Sequence, residues 1–123
     1  MIAADTSAWI DYAKGTKTAS SLALEAALEQ GVLVLPPLVL LEVLSGPKIS
    51  PVAESFILAL PRLDLVKGYW ERTALLRRAV LKKGLKARIG DCMIVQSCID
   101  QNCPLITGDS DFRHFTKLGL KLT

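Results

Sequence analysis

Short apolar stretches alternate along this chain with longer ones that repeat at helical spacing. Ile2 to Asp5 reads as a first strand, Val32 to Leu35 as a continuous apolar strand ended by Pro36, and Pro104 to Thr107 as another. A stretch apolar at every position fits a strand buried on both faces. Leu63 to Val66 and Leu120 to Leu122 are fainter strand patterns. Between them lie the helices. Thr6 to Lys14 puts Trp9, Ile10 and Ala13 on one face and stops at Gly15. Ala19 to Gln30 repeats Leu22, Ala26 and Leu28 and stops at Gly31. Pro37 suits the first turn of a helix through about Leu44, which Ser45-Gly46-Pro47 ends. Pro51 to Leu60, Tyr69 to Lys83, Asp91 to Gln101 and Asp111 to Thr116 complete the set. In Tyr69 to Lys83, Ala74, Leu75, Leu76, Ala79, Val80 and Leu81 pack, while Arg72, Arg77, Arg78, Lys82 and Lys83 point outward.

This alternation predicts an α/β fold: one domain over residues 1–123, with a parallel central sheet of about five strands and helices on both faces. No repeat, low-complexity tract or linker divides the chain. In such sheets the working site lies beyond the carboxyl ends of the strands. Asp5 ends the first strand and Asp109 follows Leu105-Ile106-Thr107, so both arrive at the same edge.

Composition adds little until its distribution is considered. Hydrophobic residues at 50% and charged residues at 22% exclude disorder. The formal charge of +3 argues weakly for any partner. However, Asp5, Glu42, Asp91, Asp109 and Asp111 all stand at the edges of apolar segments. If they share a pocket, the remaining surface carries 15 basic and 7 acidic residues, or +8. An acidic hole in a basic surface suits divalent metal within and a polyanion across the rim. Met1-Ile2-Ala3-Ala4-Asp5 lacks a basic leader, and Val32 to Leu41 is broken by Pro36-Pro37, which predicts a soluble cytoplasmic protein. Cys92, Cys98 and Cys103 match no zinc spacing and read as small buried hydrophobes.

Each carboxylate has two readings. Asp5 is either the cap of the first helix or a ligand at a strand's end, with Thr6 and Ser7 beside it. Glu42 lies in Leu38-Val39-Leu40-Leu41-Glu42-Val43-Leu44, where no polar face accounts for it. It is either a snorkelling surface residue or a charge that needs a partner. Asp91 either caps the helix that begins Cys92-Met93-Ile94 or serves the site. In Thr107-Gly108-Asp109-Ser110-Asp111-Phe112, two acids exceed what one cap requires. Four such sites at one sheet edge repel unless cations intervene. Oxygen-only ligation favours Mg²⁺ or Mn²⁺ over zinc. His114, the only histidine, reads as helix surface or a substrate contact and not as a ligand.

The ordered set Ala4-Asp5-Thr6-Ser7, Leu40-Leu41-Glu42-Val43-Leu44, Gly90-Asp91-Cys92-Met93-Ile94 and Thr107-Gly108-Asp109-Ser110-Asp111-Phe112 resembles the PIN domain, nearly end to end. This metal-dependent ribonuclease family includes the VapC-type toxins of toxin–antitoxin modules. The resemblance implies a Mg²⁺ or Mn²⁺ site, endonucleolytic RNA cleavage, a homodimer and a cognate antitoxin that blocks the site. It implies Asp5, Glu42, Asp91 and Asp109 as catalytic and metal-binding acids, with Asp111 close behind. It also implies Thr6, Ser7 and Thr107 as supporting hydroxyls.

Arg77, Lys82, Lys83, Lys86 and Arg88 are candidates to hold the RNA backbone, which would make binding salt-sensitive. A solvated helix face is the plainer reading for some of them. Two other classes compete. A phospho-receiver domain also clusters acids at strand ends, but Val66-Lys67-Gly68 supplies no Asp after the third strand. A non-catalytic PIN-like binding or regulatory module would not require the full set of acids.

Overall fold

The computed structural model describes residues 1–123. Two strands, β1 (Ala3–Ala4) and β2 (Leu105–Ile106), pair in parallel, with Ala3 opposite Leu105 and Ala4 opposite Ile106. Six α-helices follow the chain: α1 (Thr6–Lys14), α2 (Ala19–Glu29), α3 (Pro37–Leu44), α4 (Pro51–Leu58), α5 (Tyr69–Lys82) and α6 (Ile89–Asp100). A 3-10 segment, Ser110–Leu118, comes after β2.

The sheet is smaller than the apolar pattern predicts: two strands, where about five were expected. The other three segments contribute one parallel bridge each, Leu33 to Ile2, Arg62 to Leu35 and Leu122 to Leu105. Val32–Leu35 therefore touches one neighbour at Leu33 and another at Leu35, and Leu120–Leu122 touches β2 at a single bridge. The weak pattern at Leu63–Val66 bridges one residue earlier, at Arg62. Prolines account for part of this: Pro36 and Pro61 lack the N–H a longer ladder would need. Leu33 and Leu35 also bond opposite neighbours, so neither side accumulates a run. Lateral order is still maintained by backbone bonds such as Val34 N–H to Ile2 O (2.8 Å) and Leu63 N–H to Leu35 O (2.9 Å).

The helices begin and end where their caps dictate. Thr18 and Ser21 form a reciprocal capping box on α2. Pro37 and Pro51 open α3 and α4, where a missing N–H costs nothing. Asn102 adopts φ 51° just after α6, and Cys103 N–H bonds Cys98 O at 2.8 Å, turning the chain toward β2. All three cysteines are buried and free. One apolar core of 25 residues runs from Ala3 to Leu120, with Phe112, Phe115, Leu24 and Leu105 among its fully buried side chains. Helix α6 packs on α3 and α5, and α1 packs on α2 and α3. Gly90 lets α6 approach α3, because a Cβ there would sit 3.2 Å from Leu38 Cδ2. No helix is long and apolar enough to cross a membrane.

Arg72, expected to point outward, instead ties α5 to α6. Its Nε and Nη2 donate to Asp100 Oδ1 (3.0 Å) and Oδ2 (2.6 Å), and Gln96 Nε2 donates to the same Oδ1 (2.8 Å). Burial pushes the Asp100 carboxyl up, but hydrogen bonds from Arg72 and Gln96 bring it below the ordinary carboxylate range. A depressed folded value contributes stability above the unfolded value, lost as pH falls through the folded one. Arg72→Ala should therefore lower Tm at neutral pH. In thermal melts, that deficit should shrink once acid protonates Asp100 in both proteins, leaving the part due to the bond from Arg72 Nη1 to Lys67 O (2.6 Å).

Candidate active site

Asp5 leaves β1 and starts α1, and its two readings prove compatible. The carboxylate is only 3% exposed. Its Oδ1 accepts the Ala8 N–H (2.9 Å), capping the helix. Ser7 Oγ lies 3.1 Å from both oxygens, and the Thr107 hydroxyl donates to Oδ2. A buried carboxylate without a cation needs such donors.

Thr107 also reaches the acid that follows it. Its Oγ1 accepts the Asp109 N–H at 3.0 Å, so one hydroxyl couples the end of β1 to the turn after β2. Asp109 caps the 3-10 segment, accepting Asp111 N–H at 2.9 Å. Thr107→Val would leave the Asp109 N–H unpaired and remove a donor from Asp5, at a cost of about 1–3 kcal/mol. The Tm of that variant should fall accordingly in thermal melts.

Glu42 sits on α3 and is exposed, accepting the Thr6 hydroxyl at 2.7 Å. Its apolar neighbours suggested a helix without a polar side. The helix in fact has an outward side, on which Leu41 is 61% exposed. Asp91 lies in the first turn of α6, which begins at Ile89 and is preceded by Arg88; no side chain caps it. The capping role considered for Asp91 is therefore absent. Burial raises the Asp91 carboxyl above its ordinary value, with Asp109, Asp5 and Glu42 pushing the same way and Arg88 opposing.

Asp5, Glu42, Asp91 and Asp109 line one cleft of about 230 Å³, with Thr6, Ser7 and Arg88. Ile10, Ile94 and Phe112 supply its apolar wall. Sequence reading missed these three, although Ile10 and Ile94 follow Ser7 and Asp91 by three residues, the spacing of a shared helix face. Asp111 is not in the cleft; its carboxylate faces Lys86 at 3.9 Å. Lys86 is thus turned toward a neighbour. Arg77 and Lys82, with Arg78, Leu81 and Ile89, line a separate groove of about 540 Å³ whose walls hold no carboxylate. Lys83 is exposed and lines neither hollow. His114 Nδ1 lies 3.0 Å from the Lys86 carbonyl oxygen, a structural contact.

The acids fit a hard divalent ion in donor type and in charge. All donors are oxygens, and the like charges around Asp91 call for a cation. No three of the Asp, Glu, His and Cys side chains close on a common point. The carboxylates line walls instead, leaving room for an ion that keeps several of its waters, as Mg²⁺ does.

A profile of the PIN domain matches residues 2–118, and the chain belongs to that family. The fold is similar to one chain of the crystal structure of VapBC2 from Rickettsia felis bound to a DNA fragment from their promoter. That match has a TM-score of 0.74 and 21% identity, covering 100% of this chain and 98% of the other. Among curated proteins there is no significant match.

Proposed function

We propose that this protein is a divalent-metal-dependent endoribonuclease and the toxin of a type II toxin–antitoxin pair, with residues 1–123 forming a single nuclease domain that acts in the cytoplasm. One observation carries the reading: acids from four segments far apart in sequence line a single cleft. Membership of the PIN family supports nuclease chemistry. The likeness to a VapBC2 chain supports a partner protein of the antitoxin kind. Exposed Leu41, Val52 and Phe56 on α3 and α4 offer apolar surface for a second copy of the chain.

Asp5, Glu42, Asp91 and Asp109 would hold Mg²⁺ or Mn²⁺. Such an ion would supply Lewis acidity, easing loss of a proton from water and offsetting charge that develops on the leaving oxygen. The chain's own contributions are positional. Ser7 and Thr107 fix the Asp5 carboxylate, Thr6 fixes Glu42, and Ile10, Ile94 and Phe112 limit water on one side. Arg77, Lys82 and Lys83 add cationic surface outside the cleft, where a polyanionic backbone gains from counterion release.

Incubation with fluorescent single-stranded RNA of mixed sequence tests this. Cleavage should require Mg²⁺ or Mn²⁺ and stop with EDTA. Binding without cleavage in every metal would instead support a non-catalytic binding module.

A further inference from the structure

The acid cleft contains one cation of its own. Arg88 lines it with the four acids, as the extended residue just before α6 and three residues ahead of Asp91. Its guanidinium makes no ion pair and donates no hydrogen bond within the protein. Neighbouring cations behave differently: Arg72 closes on Asp100 at 2.6 Å, Lys86 reaches Asp111, and Arg77 Nε donates to Ala87 O at 2.8 Å. An arginine needed only to neutralise acids would close on one of them, as Arg72 does.

The backbone bearing Arg88 is fastened from two directions. Arg77, on α5, holds the carbonyl of Ala87, whose side chain is buried in the core. His114, on the 3-10 segment, holds the carbonyl of Lys86. A carbonyl only accepts, so His114 carries its proton on Nδ1. The two residues before Arg88 are therefore pinned, and α6 starts immediately after it. The result is an unpaired, exposed arginine on a fixed stem in the lining of a carboxylate cleft. Carboxylates repel a phosphodiester that enters such a cleft; a divalent ion held there would offset part of that repulsion, and Arg88 is the one cation of the protein placed to add to it. A planar guanidinium matches two phosphate oxygens at once.

We propose that Arg88 grips the scissile phosphate of the RNA, pairing with its non-bridging oxygens and holding the phosphorus over the acids. This goes beyond general backbone attraction and rests on the nuclease reading. Arg88→Ala should still bind Mn²⁺ by calorimetry, at least as tightly as wild type because a competing cation has left the cleft, and should remain folded at the assay temperature. Its single-turnover cleavage rate at saturating protein should drop about 10²-fold, with the half-saturating concentration moving much less. Arg88→Lys, which keeps the charge but loses the fork, should recover part of that rate.

Three results would overturn the proposal: an Arg88→Ala rate within about threefold of wild type, a change confined to half-saturation, or loss of Mn²⁺ binding. Asp5→Asn serves as the control for the underlying reading. If it cleaves RNA like wild type, the acid cleft is not the cleaving site, whatever Arg88 does.

Discussion

Replacing Asp5 by Asn should abolish RNA cleavage and leave the fold standing. The side chain is buried and held by Ser7, Ala8 and Thr107. Asn is as good an N-cap as Asp, so the bond from Ala8 N–H survives. The Thr107 hydroxyl can turn and accept from the new amide, since it has two lone pairs. The substitution removes a buried negative charge from the wall of the cleft. Losing about 4 kcal/mol of stabilisation at the reacting centre slows cleavage about 10³-fold. Asp5→Ala removes the cap as well, at about 1 kcal/mol, so its melting temperature should fall where that of Asp5→Asn does not. Cleavage by Asp5→Asn within tenfold of wild type would remove Asp5 from the site.

Neutralising Asp91 should raise the stability of the metal-free protein. Its carboxyl is raised in the fold, by burial first and then by Asp109, Asp5 and Glu42. The folded state therefore holds this proton more tightly than the unfolded state does. Stability declines as pH climbs from the ordinary Asp value through the folded one, and the deficit persists at neutral pH. Asp91→Asn removes the deficit, so it should melt above wild type at neutral pH and level with it in strong acid. Added Mn²⁺ should reverse the order. At a hundredfold excess over Kd, wild type gains about 2.7 kcal/mol, or roughly 10 °C in Tm, while Asp91→Asn gains little. A variant that melts lower without metal, or shifts as far as wild type with it, would contradict this account.

Much of this arrangement is legible in the chain, for reasons that differ by residue. Asp5 and Asp109 are readable because each is flanked by an apolar run on one side and a helix on the other. That pattern places both at one sheet edge before any contact is known. Asp91 is readable as a helix-start acid, but its position inside α6 is not, because Ile89 and Gly90 look like a turn. Glu42 stands out among leucines, yet its exposure depends on what α3 leaves uncovered, and that is a tertiary matter. The sheet is overestimated because an apolar run signals burial, whereas a strand also needs a partner over several residues. The basic stretch from Arg72 to Arg88 reads as one surface. In three dimensions Arg72, Arg77 and Lys86 are spent on Asp100, Ala87 O and Asp111, partners that sequence spacing does not reveal.

The first turn of α6 separates two hollows of opposite character. Residues 88 and 91 face the acid cleft, while Ile89 and Cys92 face the basic groove. Each residue of helix advances the side chains by about 100°. A single-residue insertion or deletion between Arg88 and Asp91 would thus swing the carboxylate out of its hollow, with every amino-acid type unchanged.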